Sequence, residues 1–561
     1  MPKLDALEVA ELLVEYGRRK MLLGGNPYRA KAYIRAAENL ALLTEPLAAV
    51  IAEGRLREVP SVGEAIADII TKLHQTGGHP SLEKIRQDFP ASLLELLTVP
   101  GLPPEKIVKL HKDLGINTLE ELETAVRQDR LKGVRGLGPA LQRKILAGLQ
   151  IRQTAKNARH IHRGADLLNA AEANLKRSLP GAKRITIAGD FRRGSELVSD
   201  LALVAEVPAL EEPQEVKSGE LTVHLTDEKH FGAGLLFATG SEAHLDALCA
   251  LAKRKGLTLN AEGLKRDGRV VASRSEREIY KALGLAFIEP ELREGGDEIA
   301  LAKSKRLPKL VKDEDICGVL HAHTDASDGA NTLQQMAEAT RKRGYAYLGI
   351  TDHSKSAHYA GGLNVDEISE QHEAIERLNA SYGGDFRIFK GIESDILPDG
   401  SLDYPDDVLR QLDFVVASVH GQFRKDISAQ TERIIKAVAN PHTTILGHMT
   451  GRQLLRRPGY EVDVERVLAA CAKHDVAVEI NSNPWRLDLD WRWHRRALEL
   501  GCTFSINPDA HSTAEIDLTH WGVVMARKGG ISPDRVLNCL DLQAFDRYLA
   551  SRKEANELDS I

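Results

Sequence analysis

Six histidines and three acids in the C-terminal part of this 561-residue chain stand at spacings that suit a cluster of metal ions. His321 and His323 lie two apart in VLHAHT, so on a strand both side chains face one way. Asp328 follows in a Ser-Asp-Gly turn, His353 ends GITDH, Glu393 ends FKGIE, His420 ends ASVH, His448 ends ILGH, and Asp509 and His511 close the series in PDAH. An HxH pair alone carries little, since 20 histidines in a chain of this length produce one by chance, and His160-Ile-His162 is such a pair. It falls in the basic segment RHIHRG, read as a surface helix on which residues i and i+2 diverge. The nine N and O ligands exceed the needs of one ion, so two or three divalent ions are expected. Mixed imidazole and carboxylate donors favour zinc or manganese, with iron as a further choice. Clustered ions acidify a bridging water to hydroxide and neutralise charge on a phosphoryl group, so phosphate ester hydrolysis is the expected chemistry, with no separate side chain assigned as nucleophile or base. Arg452 and Arg486, near the same rim, are candidate phosphate contacts.

Seven short apolar runs must position these groups: VLHAHT, AYLGITDH, FRIFKGIE, DFVVASVH, TTILGHM, AVEINSN and TFSINPDA. They alternate with helical patterns, which predicts a parallel, barrel-like sheet with its site at the C-terminal strand ends. Residues 1 to about 155 instead spell helices joined by Gly/Pro turns. Three turns are alike, Val59 to Gly63, Val99 to Pro103 and Val134 to Gly138, each opening a helix. Such loops present backbone N–H groups at a positive helix terminus and suit a DNA phosphate; only the third, with Gly136 and Gly138, keeps both glycines. Between 156 and 300 the pattern turns α/β, with strands in RITIAGDFRRG and LALVAEV.

Net charge is −6, but residues 1–200 hold 31 lysines and arginines against 24 acids, a balance of +7 that leaves −13 for the remainder. A basic body joined to an acidic one suggests a polyanion grip attached to a carboxylate-bearing catalytic unit. The five cysteines are scattered without CxxC, which argues against disulfides or zinc thiolates. No apolar run is long enough for a membrane span and the start is amphipathic, so a cytoplasmic protein without membrane association is expected.

HAHTDASDG, GITDHS, GIESDI, ASVH, GHMTGR, EINSNP and PDAHS resemble the polymerase-and-histidinol-phosphatase (PHP) domain, with all nine ligand positions filled. The resemblance implies a distorted (β/α)7 barrel. It places His321, His323, Glu393 and Asp509 around one ion, Glu393, His420 and His448 around a second, and Asp328, His353 and His511 around a third. Met449 stands where the family has proline. NPYRAKAYIRAAENL, the three turns, AGDFRRG, FATGSEAH and IYKALGLAFIEPELRE extend the likeness to bacterial family X DNA polymerases that end in a PHP domain.

This resemblance implies a multidomain α and α/β fold. It consists of helix-hairpin-helix domains at 1–85 and 86–155, a nucleotidyltransferase-like palm at 156–240, a thumb-like part at 241–300, a linker at 301–314 and the PHP domain at 315–561. The polymerase pattern departs at its metal carboxylates: Asp200 remains, Ala202 and His224 replace the other two, and Asp190 stands where a serine cradles the triphosphate. Asp190, Asp227 or Glu228 are the available substitute ligands, and restoring the site would take three compensations. Ile69 occupies the place of the lysine with which eukaryotic relatives cleave abasic sugar. Arg143, Lys144, Arg152, Lys156, Arg192 and Arg193 form a candidate phosphate track. The expected function is a DNA-repair phosphoesterase, a 3′-5′ exonuclease or abasic-site endonuclease or both. It would act as a monomer on gapped, nicked or 3′-ended DNA, with a palm that has lost nucleotidyl transfer. The alternatives are an active gap-filling polymerase whose PHP domain proofreads, a histidinol-phosphate type phosphatase, and a non-enzymatic DNA-end scaffold.

Overall fold

Helices satisfy the backbone of the N-terminal third, in a computed structural model that describes residues 4–558 apart from Gly25, Thr44, Lys156, Ala209 and Glu211. The chain divides into two units, Met1–Arg306 with Leu455–Arg457, and Leu307–Leu454 with Pro458–Ile561. The first helix, α1 (Ala6–Leu22), starts at an Asp5/Glu8 capping box and turns Val9, Leu13 and Tyr16 inward. These join an apolar cluster that runs to Ile85, and a second cluster gathers residues from Phe89 to Ile145 with Leu22.

The three glycine turns share one backbone path. Each precedes a helix, α2 (Glu64–Thr76), α3 (Pro104–Leu114) and α4 (Pro139–Thr154), whose N-caps are Gly63, Pro103 and Gly138. The middle residue of each turn is left-handed: Ser61 at φ 66°, Gly101 at 76° and Gly136 at 85°. Glycine takes this conformation without strain, whereas Ser61 adopts it against its Cβ. Ile69 lies buried on α2. Arg143 and Lys144 are exposed on α4, Arg152 donates to the Thr98 hydroxyl at 2.6 Å, and Lys156 lies outside the described residues.

The palm-like sheet has four strands, β1 (Arg184–Ile187), β2 (Leu201–Glu206), β3 (Gln214–Ser218) and β4 (Leu221–Thr226), in the order β1-β2-β4-β3 with β2 and β4 parallel. A three-stranded antiparallel sheet, Thr258–Asn260, Gly263–Arg266 and Arg269–Ala272, follows. Charges knit these parts together. Arg192 grips Glu276 with both terminal nitrogens at 2.8 and 2.7 Å, and the fully buried Arg293 reaches the same carboxylate at 2.5 Å. Arg193 binds Asp190, Glu294 and the Thr239 carbonyl. The expectation that Arg192 and Arg193 line a phosphate track is thereby corrected, because their donors are spent inside the protein. The surface assignment of His160 and His162 is corrected too: His160 is buried just ahead of the helix Ile161–Ser178, and burial, with His160 and Arg163 beside it, lowers His162 to about 4.

In the second unit all seven apolar runs form strands: β5 (Gly318–Val319), β6 (Tyr347–Ile350), β7 (Arg387–Asp395), β8 (Phe414–Ser418), β9 (Ile445–Leu446), β10 (Ala477–Asn481) and β11 (Phe504–Asn507). They pair in chain order and in parallel, and are buried along most of their length, as helix-covered parallel strands must be. Just beyond β5 and β11, a parallel bridge joins Ala322 to Ala510, with the His323 N–H donating to the Ala510 carbonyl at 2.8 Å. The sheet is thus a nearly closed seven-stranded barrel, filled from Leu320, Tyr347, Phe389, Phe414 and Val416. Among the described residues no helix is long and apolar enough to cross a membrane, and all five cysteines are free thiols.

The Arg192–Glu276–Arg293 triad yields a stability prediction. Burial opposes charge on Glu276, and Arg192 and Arg293 overcome it, holding its carboxyl down at about 2. Replacing Glu276 with Gln strands a buried guanidinium, and urea unfolding of the Met1–Arg306 unit is expected to lose about 3–5 kcal/mol.

Candidate metal centre

The nine ligand candidates converge because a parallel barrel delivers its strand C-termini to one rim. His321 and His323 follow β5, His353 follows β6, Glu393 lies in β7, His420 and His448 follow β8 and β9, and Asp509 and His511 follow β11. The Ala322–Ala510 bridge sets the first and last strands side by side, so the His321/His323 pair meets Asp509 and His511. Asp509 takes a left-handed backbone at φ 52°, in the loop that also carries His511. Asp328 is placed by its loop: buried Asp352 accepts from the Thr324 N–H and hydroxyl at 2.7 Å each, from the Ser327 hydroxyl at 2.5 Å and from Gln371 at 2.7 Å.

The spacing of donor atoms matches ligands sharing an ion. Metal bonds of about 2.0–2.2 Å at tetrahedral or octahedral angles put neighbouring donors roughly 3.0–3.5 Å apart. Around one point, His321 Nε2 is 3.4 Å from Glu393 and 3.5 Å from Asp509, and His323 Nε2 is 3.2 Å from Asp509. Around a second, His420 and His448 Nε2 stand 3.2 and 3.1 Å from the same oxygen, Glu393 Oε1. Around a third, His353 and His511 Nε2 are 3.5 and 3.3 Å from Asp328 Oδ1.

The unpaired atoms show that the donors fit a metal. Glu393 is 1% exposed, and neither of its oxygens has a hydrogen-bond partner; the same holds for His321 Nε2, His323 Nδ1 and His353 Nδ1. A buried carboxylate with no donor is costly unless a cation meets it. Such groups, arranged as here, bind divalent metal.

A second layer of acids was missed by sequence reasoning. Glu479, buried in β10, accepts from His321 Nδ1 at 2.6 Å, from the His448 N–H at 2.6 Å and from Asn507 at 3.0 Å. Asp395 pairs with His420 Nδ1 at 2.5 Å, and Asn481 donates to Asp509 at 3.1 Å. Glu479 and Asp395 thereby fix the tautomers of His321 and His420 so that Nε2 faces the cluster. The signal for Glu479 was present: an acid amid the apolar run of AVEIN is out of place unless it serves a partner.

Arg486 stands 3.8 Å from Asp509 at the edge of the cluster. Arg452, expected beside it as a phosphate contact, is corrected to a structural role: its guanidinium donates to the carbonyls of Arg486 and Leu487 and to Asp490 at 2.7 Å, and so holds the loop that carries Arg486.

In the palm the residues do not assemble a comparable set. Asp200 precedes β2, Ala202 within β2 offers no ligand atom, and His224 on β4 has its ring 3.7 Å from Glu215. Asp190 accepts from Arg193 at 2.6 Å and from the N–H groups of Ser199 and Asp200 at 3.1 and 3.2 Å. Burial, followed by the Asp190 charge, raises the Asp200 carboxyl. Asp227 is taken by His230 at 2.7 Å, and Glu228 faces Lys183 at 3.7 Å. Among the described residues, metal-ligating groups cluster only at the barrel rim.

Electrostatics at that rim set the terms of loading. Burial opposes charge on His420, but Glu393 and Asp395 overcome it and lift the imidazole to about 10. Burial likewise opposes charge on His511, and Asp328 and Asp509 raise it to about 9. Burial holds His323 down at about 4, with Asp509 opposing and the neighbouring His511 and His353 assisting. Metal-free protein at pH 7 therefore holds protons on His420 and His511 that an ion must displace, and affinity is expected to rise with pH through that range. Titration calorimetry of Mn into chelator-treated protein, in buffers of differing ionisation enthalpy, is expected to show net proton release. In the same assay Glu479→Gln is expected to weaken Mn binding by about 10–100-fold.

Comparison with known proteins agrees with this geometry. Residues 5–79 match the model of a helix-hairpin-helix domain, 234–294 that of a DNA polymerase beta thumb, and 320–483 that of a PHP domain. A Bacillus subtilis (strain 168) protein named DNA polymerase/3′-5′ exonuclease PolX is 33% identical over 98% of this chain and 99% of its own length. Proteins named probable phosphatases match the barrel part: one from Thermoanaerobacter sp. (strain X514) is 30% identical over 42% of this chain and 94% of its own length, and one from Vibrio parahaemolyticus is 29% identical over 41% and 92%. With the hairpin, thumb and barrel models in order and the likeness running nearly end to end, this chain belongs to the PolX family of family X polymerase-like proteins that carry a PHP domain.

Proposed function

We propose that this protein is a metal-dependent 3′-5′ DNA exonuclease of repair, which also cuts at abasic sites by the same chemistry, and that its palm holds DNA without polymerising. The observation that carries the proposal is Glu393, buried with both oxygens unpaired between imidazoles that also face Asp509 and Asp328. Two or three ions of zinc or manganese, with iron as a further choice, would be held by His321, His323, Asp328, His353, Glu393, His420, His448, Asp509 and His511. When bound they supply Lewis acidity and lower the pKa of water toward neutrality. The chain's own residues do the positioning. Glu479 and Asp395 orient His321 and His420, Asp352 holds the Asp328 loop, and Arg486 offers a cation for a phosphate oxygen.

DNA as substrate is supported by the hairpin turns, whose Gly136, Gly138, Arg143 and Lys144 offer backbone N–H groups and charge to a phosphate, and by the 3′-5′ exonuclease in the name of the Bacillus relative. Gapped, nicked or 3′-ended DNA, bound by one copy of the chain in the cytoplasm, fits an end-processing role. Loss of nucleotidyl transfer is supported by Ala202 and His224 at two ligand positions. It is supported also by Asp190, whose carboxylate fills the turn where a triphosphate would need N–H donors. A second possibility, hydrolysis of small phosphomonoesters, is favoured by the phosphatase names of relatives that match the barrel part.

Labelled single-stranded, gapped and abasic DNA incubated with Mn or Zn is expected to shorten from the 3′ end or break at the abasic site. The His321→Ala/His323→Ala variant is expected to lose this activity by at least about a hundredfold. Undiminished cleavage in that variant would place the chemistry elsewhere, and phosphate release from a monoester without DNA cleavage would favour the phosphatase. Primer extension across a gap with Mg or Mn is expected to fail; robust extension overturns the account of the palm.

A further inference from the structure

Tyr359 has no part in holding the cluster, yet it stands over it. The residue is 72% exposed, while its ring centroid lies 6.2 Å from that of His353 and 6.5 Å from that of His420, both of which face Glu393. Scattered exposed aromatics are ordinary on a protein surface. This one is held by a loop with no slack. Ala357 and Ala360 are buried, the Leu363 N–H returns to the His353 carbonyl at 2.9 Å, and Lys355 donates to the Tyr404 hydroxyl at 3.0 Å. Ser356 donates to Asp403 from both its N–H and its hydroxyl, at 2.6 and 2.5 Å. Gly362 passes so close to Ser354 that a Cβ would lie 1.8 Å from its carbonyl oxygen. A mobile ring would lose entropy when it ordered against a ligand; the backbone that carries this ring is ordered beforehand.

The ring therefore sits beside the cluster proposed above to act on phosphate, in contact range of two of its imidazoles. We infer that Tyr359 is a stacking platform for the nucleobase at the 3′ end being cleaved, and that it gives the barrel its preference for polynucleotide ends over small phosphate esters. The inference rests on the exonuclease function proposed above. Because every base has a π face, the contact is expected to be indifferent to sequence. Tyr359 acts here as a positioning residue for the substrate.

The test compares wild-type protein, Tyr359→Phe and Tyr359→Ala, each loaded with Mn. Two oligonucleotides are used, one with an ordinary 3′-terminal nucleotide and one with a tetrahydrofuran sugar lacking the base. Tyr359→Ala is expected to raise KM about tenfold on the ordinary end and to leave it unchanged on the base-free end, while Tyr359→Phe behaves as wild type on both. An equal penalty on both ends, or a loss in Tyr359→Phe as large as in Tyr359→Ala, overturns the proposal, because the contact would then be to sugar, phosphate or hydroxyl. A second readout needs no turnover. 2-Aminopurine placed at a 3′ end that a phosphorothioate protects is expected to be quenched on binding wild type and Tyr359→Phe but not Tyr359→Ala. Quenching that persists in Tyr359→Ala also overturns the proposal. If wild type cleaves neither oligonucleotide but quenches through Tyr359, the exonuclease function fails and the stacking platform stands. Thermal unfolding of the variants is expected to match wild type, as the ring is exposed.

Discussion

A carboxylate sealed from water with no hydrogen-bond donor is the constraint on which the barrel turns. Glu393 sits at 1% exposure, and the atoms around it are imidazole nitrogens from four neighbouring loops. Desolvating such a group is expensive, and an imidazole compensates fully only when it carries a proton. Divalent ions resolve the conflict in another way: each supplies charge to the carboxylate and accepts lone pairs from the imidazoles at the same time. The outer acids Glu479 and Asp395 fit this arrangement, because a ring that donates from Nδ1 is left with a lone pair on Nε2.

Much of this was legible in the residues. The seven strands could be found because helix-covered parallel strands are continuous apolar runs, and the ligands because each stands where such a run stops. What could not be found followed from partners distant in sequence. Glu479 serves His321 across 158 residues, and Asp352 is engaged by a loop 25 to 28 residues before it. Arginine was the least legible residue. Arg192, Arg193 and Arg452 have the composition of a nucleic-acid contact, yet each is consumed by acids or carbonyls of its own fold. Charge counted along a chain does not distinguish a guanidinium facing solvent from one that staples two segments together.

The palm illustrates the same principle from the opposite side. The first hairpin turn follows its path with Ser61 at an angle that glycine takes without strain. In the four-stranded palm-like sheet β2 and β4 run side by side in parallel, Ala202 and His224 stand on them, and Asp190 accepts from the chain's own N–H groups. Packing of β2 and β4 depends on apolar side chains such as Leu201, Leu203, Leu221 and Val223, and these do not require ligands on the strands.

The bridge between Ala322 and Ala510 has a consequence for how the protein is made. It joins the first strand of the barrel to the last, and Asp509 and His511 arrive on the late side of that join. A nascent chain emerging from the ribosome displays the earlier ligands long before the two that complete the ring. Until translation passes residue 511, two of the nine donors are missing from the rim, and any product of premature termination in this stretch carries an incomplete set of ligands.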